Sequence, residues 1–232
     1  MTRIMDVLDL VVDKLRKDNP YGLVLKGGTS LAIHHTPKHR ESEDLDFDVD
    51  IKKKGQAEEI ALSIEAILQE LVGSGIITKY RITKKGMAAT DRYHMNLIIE
   101  TYKPFQTKMD FDFVNMPQNL EYEGKLGFYT KERMFVAKLM TFVSRRELKD
   151  IYDISYLLKV VEPGSFPEAE KLATLIEKAV DTASDGELMA SYKKTLRNLD
   201  VRFKNLTEGN VSGFITSSIR QLRAFRNELV KR

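Results

Sequence analysis

Residues 44–51 read Asp44-Leu45-Asp46-Phe47-Asp48-Val49-Asp50-Ile51, a strict alternation of carboxylate and apolar side chains. Period two is the signature of a strand, because successive side chains leave a strand on opposite faces. Leu45, Phe47, Val49 and Ile51 then point into a core, while Asp44, Asp46, Asp48 and Asp50 share the other face. Side chains two apart on a strand lie ~7 Å apart, so the carboxylates stand in one row. Asp is a poor strand former, and each close pair of like charges costs on the order of 1 kcal/mol even beside water. A divalent cation held between neighbouring carboxylates is the natural compensation. The other reading is a solvated acidic edge balanced by Lys52, Lys53 and Lys54. An EF-hand loop is excluded: counted from Asp44, the positions that need Gly and Glu hold Val49 and Gly55.

Lys108-Met109-Asp110-Phe111-Asp112-Phe113-Val114 is a second strand of the same kind, with Asp110 and Asp112 on one face. Paired with the first strand, it adds a third carboxylate to Asp44 and Asp46. Such a cluster suits two-metal phosphoryl or nucleotidyl transfer, in which one ion activates the attacking oxygen and the other steadies the triphosphate. Upstream, Lys26-Gly27-Gly28-Thr29-Ser30 lies between a short apolar run, Leu23–Leu25, and a helical turn, Leu31–Ile33. A double glycine at that place lets backbone approach a ligand closely, and the N–H groups that open a helix suit an anion. The Thr29 and Ser30 hydroxyls add donors for phosphate oxygens. The spacing of a Walker A loop is absent.

The chain has 232 residues, 42% apolar and 31% charged, with 37 Lys+Arg against 34 Asp+Glu. These proportions are ordinary for a globular protein and exclude a histone-like or polyanionic chain. There is no Cys, so disulfides, thiolate nucleophiles and iron–sulfur clusters are excluded, and any metal site must use oxygen or imidazole ligands. No apolar run reaches membrane-spanning length, and Asp6, Asp9 and Asp13 interrupt the N-terminal pattern, so no signal peptide is read and a cytoplasmic location is expected.

Helical spacing predicts a helix through Ile4, Val7, Leu8, Val11 and Leu15 that ends at Asn19-Pro20, a second helix at 57–72, and strands at 76–82, 94–101 and 108–114. From Thr130, a plausible N-cap, the pattern becomes helical, with further helices at 147–161, 167–182, 187–205 and 210–230. Strands first and helices later give an α+β fold. It comprises a mixed sheet flanked by helices in residues 1–118 and a helical half in residues 119–232, the latter expected to contribute to the active site and to acceptor binding.

Lys26-Gly27-Gly28-Thr29-Ser30-Leu31, then Ser42-Glu43-Asp44-Leu45-Asp46-Phe47, then the carboxylate of Lys108-Met109-Asp110, resembles the DNA polymerase β-like nucleotidyltransferases. The wording is most similar to the AbiEii-type toxins of toxin–antitoxin and abortive-infection systems. A helical motif of that group is matched by Glu132, Ala137-Lys138-Leu139, Arg145-Arg146 and Asp150…Asp153, with Lys149 where Arg is more usual. The resemblance covers roughly residues 22–158. It implies that Lys26, Gly27, Gly28, Thr29 and Ser30 hold the nucleotide phosphates. Asp44, Asp46 and Asp110 would ligate Mg2+ or Mn2+, with Asp112 as the runner-up for the third ligand. Lys138 would neutralise the triphosphate, and Asp150 and Asp153 would orient that lysine or contact nucleotide. Ser42, two residues before the acidic strand, lies beside the nucleotide site. Its modification by a phosphoryl or nucleotidyl group would repel an incoming triphosphate.

Residues 184–232 hold ten Lys/Arg against five Asp/Glu, more than the whole positive excess of the chain. Arg220, Arg223 and Arg226, with Arg202, Arg232 and neighbouring lysines, form a basic stretch that suits a phosphate backbone. Lys38, Arg40, Lys84 and Lys85 are further charges for guiding a polyanion. His34, His35, His39 and His94 match no zinc spacing and read as surface or base-contacting residues. The expected function is Mg2+-dependent transfer of NMP from an NTP to tRNA or another RNA, by a toxin with a partner antitoxin. The rivals are transfer to a small molecule or protein hydroxyl, and a non-catalytic RNA- or partner-binding module of the same fold.

Overall fold

The computed structural model describes residues 3–37, 39–198 and 203–231. The chain forms two compact units, residues 1–34 with 41–130, and residues 35–40 with 131–232. The first unit is built on a sheet and the second is helical, so the fold is mixed α+β.

In the first unit the order is α1 (Ile4–Lys17), β1 (Val24–Lys26), α2 (Gly27–Ser30), β2 (Leu45–Asp50), α3 (Ala57–Gly73), β3 (Lys79–Ala89), β4 (Arg92–Glu100), β5 (Pro104–Val114), β6 (Leu120–Glu123) and β7 (Leu126–Tyr129). Among the described residues the strands form one sheet in the order β3-β4-β5-β2-β1-β7-β6. β2 runs parallel to β5 and β1 parallel to β7, and the remaining pairs are antiparallel. The alternation in β2 works as its period demands. Leu45, Phe47 and Val49 are fully buried in one core with Met109, Phe111 and Phe113 of β5, and with Tyr93, Met95, Leu97 and Ile99 of β4. The same core takes Val7, Leu8, Val11 and Leu15 from α1, and Ile60, Ile64 and Leu68 from α3, both at helical spacing. One face of the sheet is therefore sealed by two helices, and the aspartates occupy the opposite face.

The sheet extends past the boundary expected near residue 118. The hairpin β6–β7 adds two strands, so the units part after Thr130. Its turn depends on Gly124 at φ +59, where a Cβ would collide with the Arg16 carbonyl, while the Lys125 N–H donates to that same carbonyl at 2.7 Å. The strand expected at 76–82 begins at Lys79 and runs to Ala89, because hairpin pairing with β4 carries its polar half. Ile51, expected to end β2, instead opens a 3-10 turn, Ile51–Gln56, capped by the Asp50 side chain.

The second unit holds α4 (Lys131–Arg145), α5 (Leu148–Leu157), α6 (Ala169–Ala183), α7 (Gly186–Asn198) and α8 (Val211–Leu229). Phe135, Phe166 and Phe225 pack together with ring centroids 5.4–5.9 Å apart. The chain breaks between α4 and α5 at Arg146, φ +58, whose carbonyl accepts a hydrogen bond from the Tyr192 hydroxyl. The helix expected to reach residue 205 is helical to Asn198, and Phe203 lies in an isolated bridge with Arg40. Lys38, Arg202 and Arg232, counted above among the basic residues, lie outside the described residues.

Candidate active site

Parallel pairing places Asp46 directly opposite Asp110 and Asp48 opposite Asp112. The antiparallel neighbours put Lys26 of β1 opposite Asp46, and Arg92 and His94 of β4 opposite Asp112 and Asp110. The acidic row then divides into two halves with different charge balance.

One half is neutralised by the protein itself. The Lys26 ammonium donates to Asp48 and, at 2.6 Å, to Asp112 Oδ2. Arg92 reaches Asp112 with two N–H groups, one at 3.0 Å, and the Tyr129 hydroxyl donates to Asp48. Burial works against the Asp112 charge, but the hydrogen bonds from Arg92 and Lys26 outweigh it and hold the carboxyl below its usual range. The two cations match the two carboxylates, so this half needs no metal. Lys26, expected on phosphate, is committed to this pairing. Asp112, the runner-up ligand, is enclosed by cations.

The other half is not neutralised. Asp44, Asp46 and Asp110 share Lys108, whose ammonium lies 3.0 Å from Asp110 Oδ2 and 4.0 Å from Asp44 Oδ2. Three carboxylates facing one ammonium leave a deficit of about two charges. Burial pushes the Asp46 carboxyl up, and the Asp110 and Asp44 charges add to that against the pull of Lys108. An all-oxygen donor set with this deficit fits a hard divalent ion such as Mg2+ or Mn2+.

Gly27 closes the site from the side of β1. Its φ is +75, and a Cβ there would lie 2.6 Å from Asp46 Oδ2. The backbone passes against the carboxylate only because no side chain intervenes. Gly27→Ala is therefore expected to cost about 1–2 kcal/mol of stability from backbone strain alone. It is also expected to displace Asp46, which thermal melts with and without Mn2+ will show as a reduced metal-induced shift. An unreduced shift would contradict this geometry. Gly28 is half-buried beside Gly27. The Thr29 hydroxyl donates to the Asp44 carbonyl and so anchors the start of β2. The Ser30 hydroxyl is buried without a hydrogen-bond partner. Ser42 is half-buried, with its N–H directed at Met5 Sδ, 3.2 Å away.

The second unit carries its own charged cluster. Lys138 is 6% exposed and lies 2.7 Å from Asp153 Oδ2 and 3.4 Å from Asp150 Oδ1. Arg40 grips Asp153 with two bonds of 2.6 and 2.9 Å, and Arg145 grips Asp150 with bonds of 2.8 and 2.9 Å. Both carboxylates are fully buried. Burial opposes the Asp153 charge, yet Lys138, Arg40 and the His39 hydrogen bond hold its carboxyl far below the usual value. His39 corrects the expectation of a surface residue. It is buried, between Thr36 and Asp153, with its Nε2 2.8 Å from Asp153 Oδ1. His34 stacks on Phe128 at 4.3 Å and meets Glu121 and Glu123. Arg226, expected to be free for an acceptor, pairs with Glu177 of α6, whereas Arg220 and Arg223 are exposed.

The sequence did not single out Lys108, Arg92 or Tyr129 for the site. A lysine two residues from Asp110 on the same strand face was a legible signal for the first. The other two come from strands whose neighbours only the sheet order reveals.

Comparison with known proteins bears on the fold and the family. JHP933 from Helicobacter pylori has the same fold, with a TM-score of 0.70 at 17% identity over 97% of this chain and 91% of that chain. MenT4, the nucleotidyltransferase toxin Rv2826c from Mycobacterium tuberculosis H37Rv, matches with a TM-score of 0.58 at 14% identity, over 97% of this chain and 83% of that chain. No curated protein sequence gives a significant match. The family described as nucleotidyl transferase AbiEii toxin, type IV toxin–antitoxin system, matches residues 14–228, and the chain belongs to that family.

Proposed function

We propose that the protein moves NMP from an NTP to an RNA acceptor, with tRNA as the first candidate, and releases pyrophosphate. The observation that carries this reading is the uncompensated trio Asp44, Asp46 and Asp110 beside the Gly27 backbone. A divalent ion bound there would lower the pKa of the attacking hydroxyl and neutralise developing phosphate charge. Asp46 and Asp110, paired across β2 and β5, would fix the ligand spacing, and Thr29 would hold Asp44 in line through its backbone. Asp44, Asp46 and Asp110 would hold the ion, and Lys108 beside them would supply further positive charge. The Gly27–Gly28 backbone would approach the phosphates where any side chain would block Asp46. Membership of a toxin family implies an antitoxin partner. No helix of the described residues is long and apolar enough to cross a membrane.

The exposed arginines Arg220 and Arg223 support a polyanionic acceptor over a small molecule. The test is incubation of the protein with Mg2+ and NTPs labelled at the α-phosphate, in the presence of total RNA, protein extract and small hydroxyl compounds. Label is expected in RNA and in an EDTA-sensitive manner. Label confined to protein or to small molecules would overturn the acceptor assignment.

A further inference from the structure

The helical unit contains a cavity of about 470 Å³ between the C-terminal end of α5, the 204–210 loop and the first turns of α8. Its floor is aromatic: Tyr156 and Phe214 both pack on Tyr152, with ring centroids 5.1 and 5.4 Å away. The scaffold of the cavity is internally satisfied. The Tyr152 hydroxyl donates to the Lys204 carbonyl at 2.8 Å, and Ser155 and Ser218 donate to carbonyls of their own helices. The Asn210 side chain bonds the Thr207 N–H and the Asn205 carbonyl, which fixes the loop with Asn205 at φ +63. The groups that face the opening differ. Among the described residues no Asp or Glu lines the cavity, while Lys159 and Lys204 do. The Lys159 ammonium lies over the Tyr156 ring, 4.0 Å from its centroid, and Lys159 itself is exposed.

We propose that this cavity binds a single unstacked nucleotide of a single-stranded RNA. A base takes the face of Tyr156 that the Lys159 ammonium covers, as bases do on aromatic platforms in RNA-binding proteins. Lys159, displaced from the ring, meets the phosphate together with Lys204. The side-chain amides of Asn205 and Gln221, which line the cavity and are exposed, are placed to meet the base edge. Arg220, exposed and three residues beyond Ser217 on α8, extends the positive track to a neighbouring phosphate. A free phosphate would have no use for the aromatic floor, and an apolar peptide would have none for the ammonium groups of Lys159 and Lys204. That the strand is the acceptor rests on the function proposed above; the contact itself does not require transfer.

The test is binding of a fluorescein-labelled RNA hexamer to the full chain, measured by anisotropy. Tyr156→Ala is expected to weaken binding roughly tenfold or more, the loss of one base–aromatic stack, and Tyr156→Phe to preserve it. Lys204→Glu, at an exposed position, is expected to weaken binding by a similar factor and to flatten its salt dependence. Ser217→Trp, also exposed, plugs the cavity and is expected to abolish the contact without relying on the Tyr156 variant folding. Unchanged binding in Lys204→Glu and Ser217→Trp would overturn the proposal. Loss in Lys204→Glu with no change in folded Tyr156→Ala would also overturn it, because only phosphate would be held. Label transfer to RNA in the wild type, with unchanged hexamer binding in these variants, would reject the cavity and keep the acceptor reading. Hexamer binding lost in the variants, with no label in RNA, would keep the cavity and reject the acceptor.

Discussion

Asp46→Asn is expected to reduce nucleotidyl transfer by roughly 10³-fold or more, the several kcal/mol that metal-held charge stabilisation supplies. The same substitution is expected to stabilise the metal-free protein. Asp46 is pressed between burial and the carboxylates of Asp110 and Asp44, with Lys108 as partial relief. A carboxyl held above its unfolded value favours folding only while protonated, so the penalty is present at neutral pH and fades toward about pH 4. Relief of one close repulsion on the order of 1 kcal/mol should raise the melting temperature in EDTA by about 2–4 °C for a chain of this size. Loss of activity together with a lowered melting temperature would point instead to a structural role for Asp46.

The second large effect belongs to Asp153. Its carboxylate is fully buried and is the shared partner of Lys138, Arg40 and His39. Removing one member of a buried ionic network strands the others, at a cost of about 3–5 kcal/mol. Asp153→Ala is therefore expected to lower the urea midpoint of the helical unit strongly, with Asp153→Asn less severe because it keeps part of the hydrogen bonding. The pH dependence follows from the depressed carboxyl. A carboxyl below its unfolded value contributes stability that is fully present above about pH 4 and is lost as pH falls toward the folded value. The wild type should lose stability steeply below pH 4, and Asp153→Ala should lack that component. A variant within 1 kcal/mol of wild type at pH 7 would contradict this account.

The alternation of residues 44–51 made β2, its buried face and the acidic face legible, because period two depends on local geometry alone. The partition of that acidic face was not legible. Whether Asp48 and Asp112 require a metal depends on Lys26, Arg92 and Tyr129, which arrive from β1, β4 and β7 through long-range pairing. The β6–β7 hairpin was missed for a related reason. Leu126, Phe128 and Tyr129 are all buried, so the strand shows no alternation, and only the Glu123-Gly124 turn marks it. His39 and Arg40 lie in a connecting segment with no periodic pattern, yet they complete the Asp153 cluster. The Arg220–Arg226 series reads as one basic stretch in sequence, but Glu177 on another helix takes Arg226 from it.

The most direct test of the central claim is Mn2+ binding, followed by electron paramagnetic resonance with Mg2+ as competitor. Wild type is expected to bind Mn2+ and to release it to excess Mg2+, Asp46→Asn and Asp110→Asn to lose the site, and Asp112→Asn to retain it. Undiminished Mn2+ binding in Asp46→Asn and Asp110→Asn, or no binding by the wild type, would contradict a metal centre built on Asp44, Asp46 and Asp110.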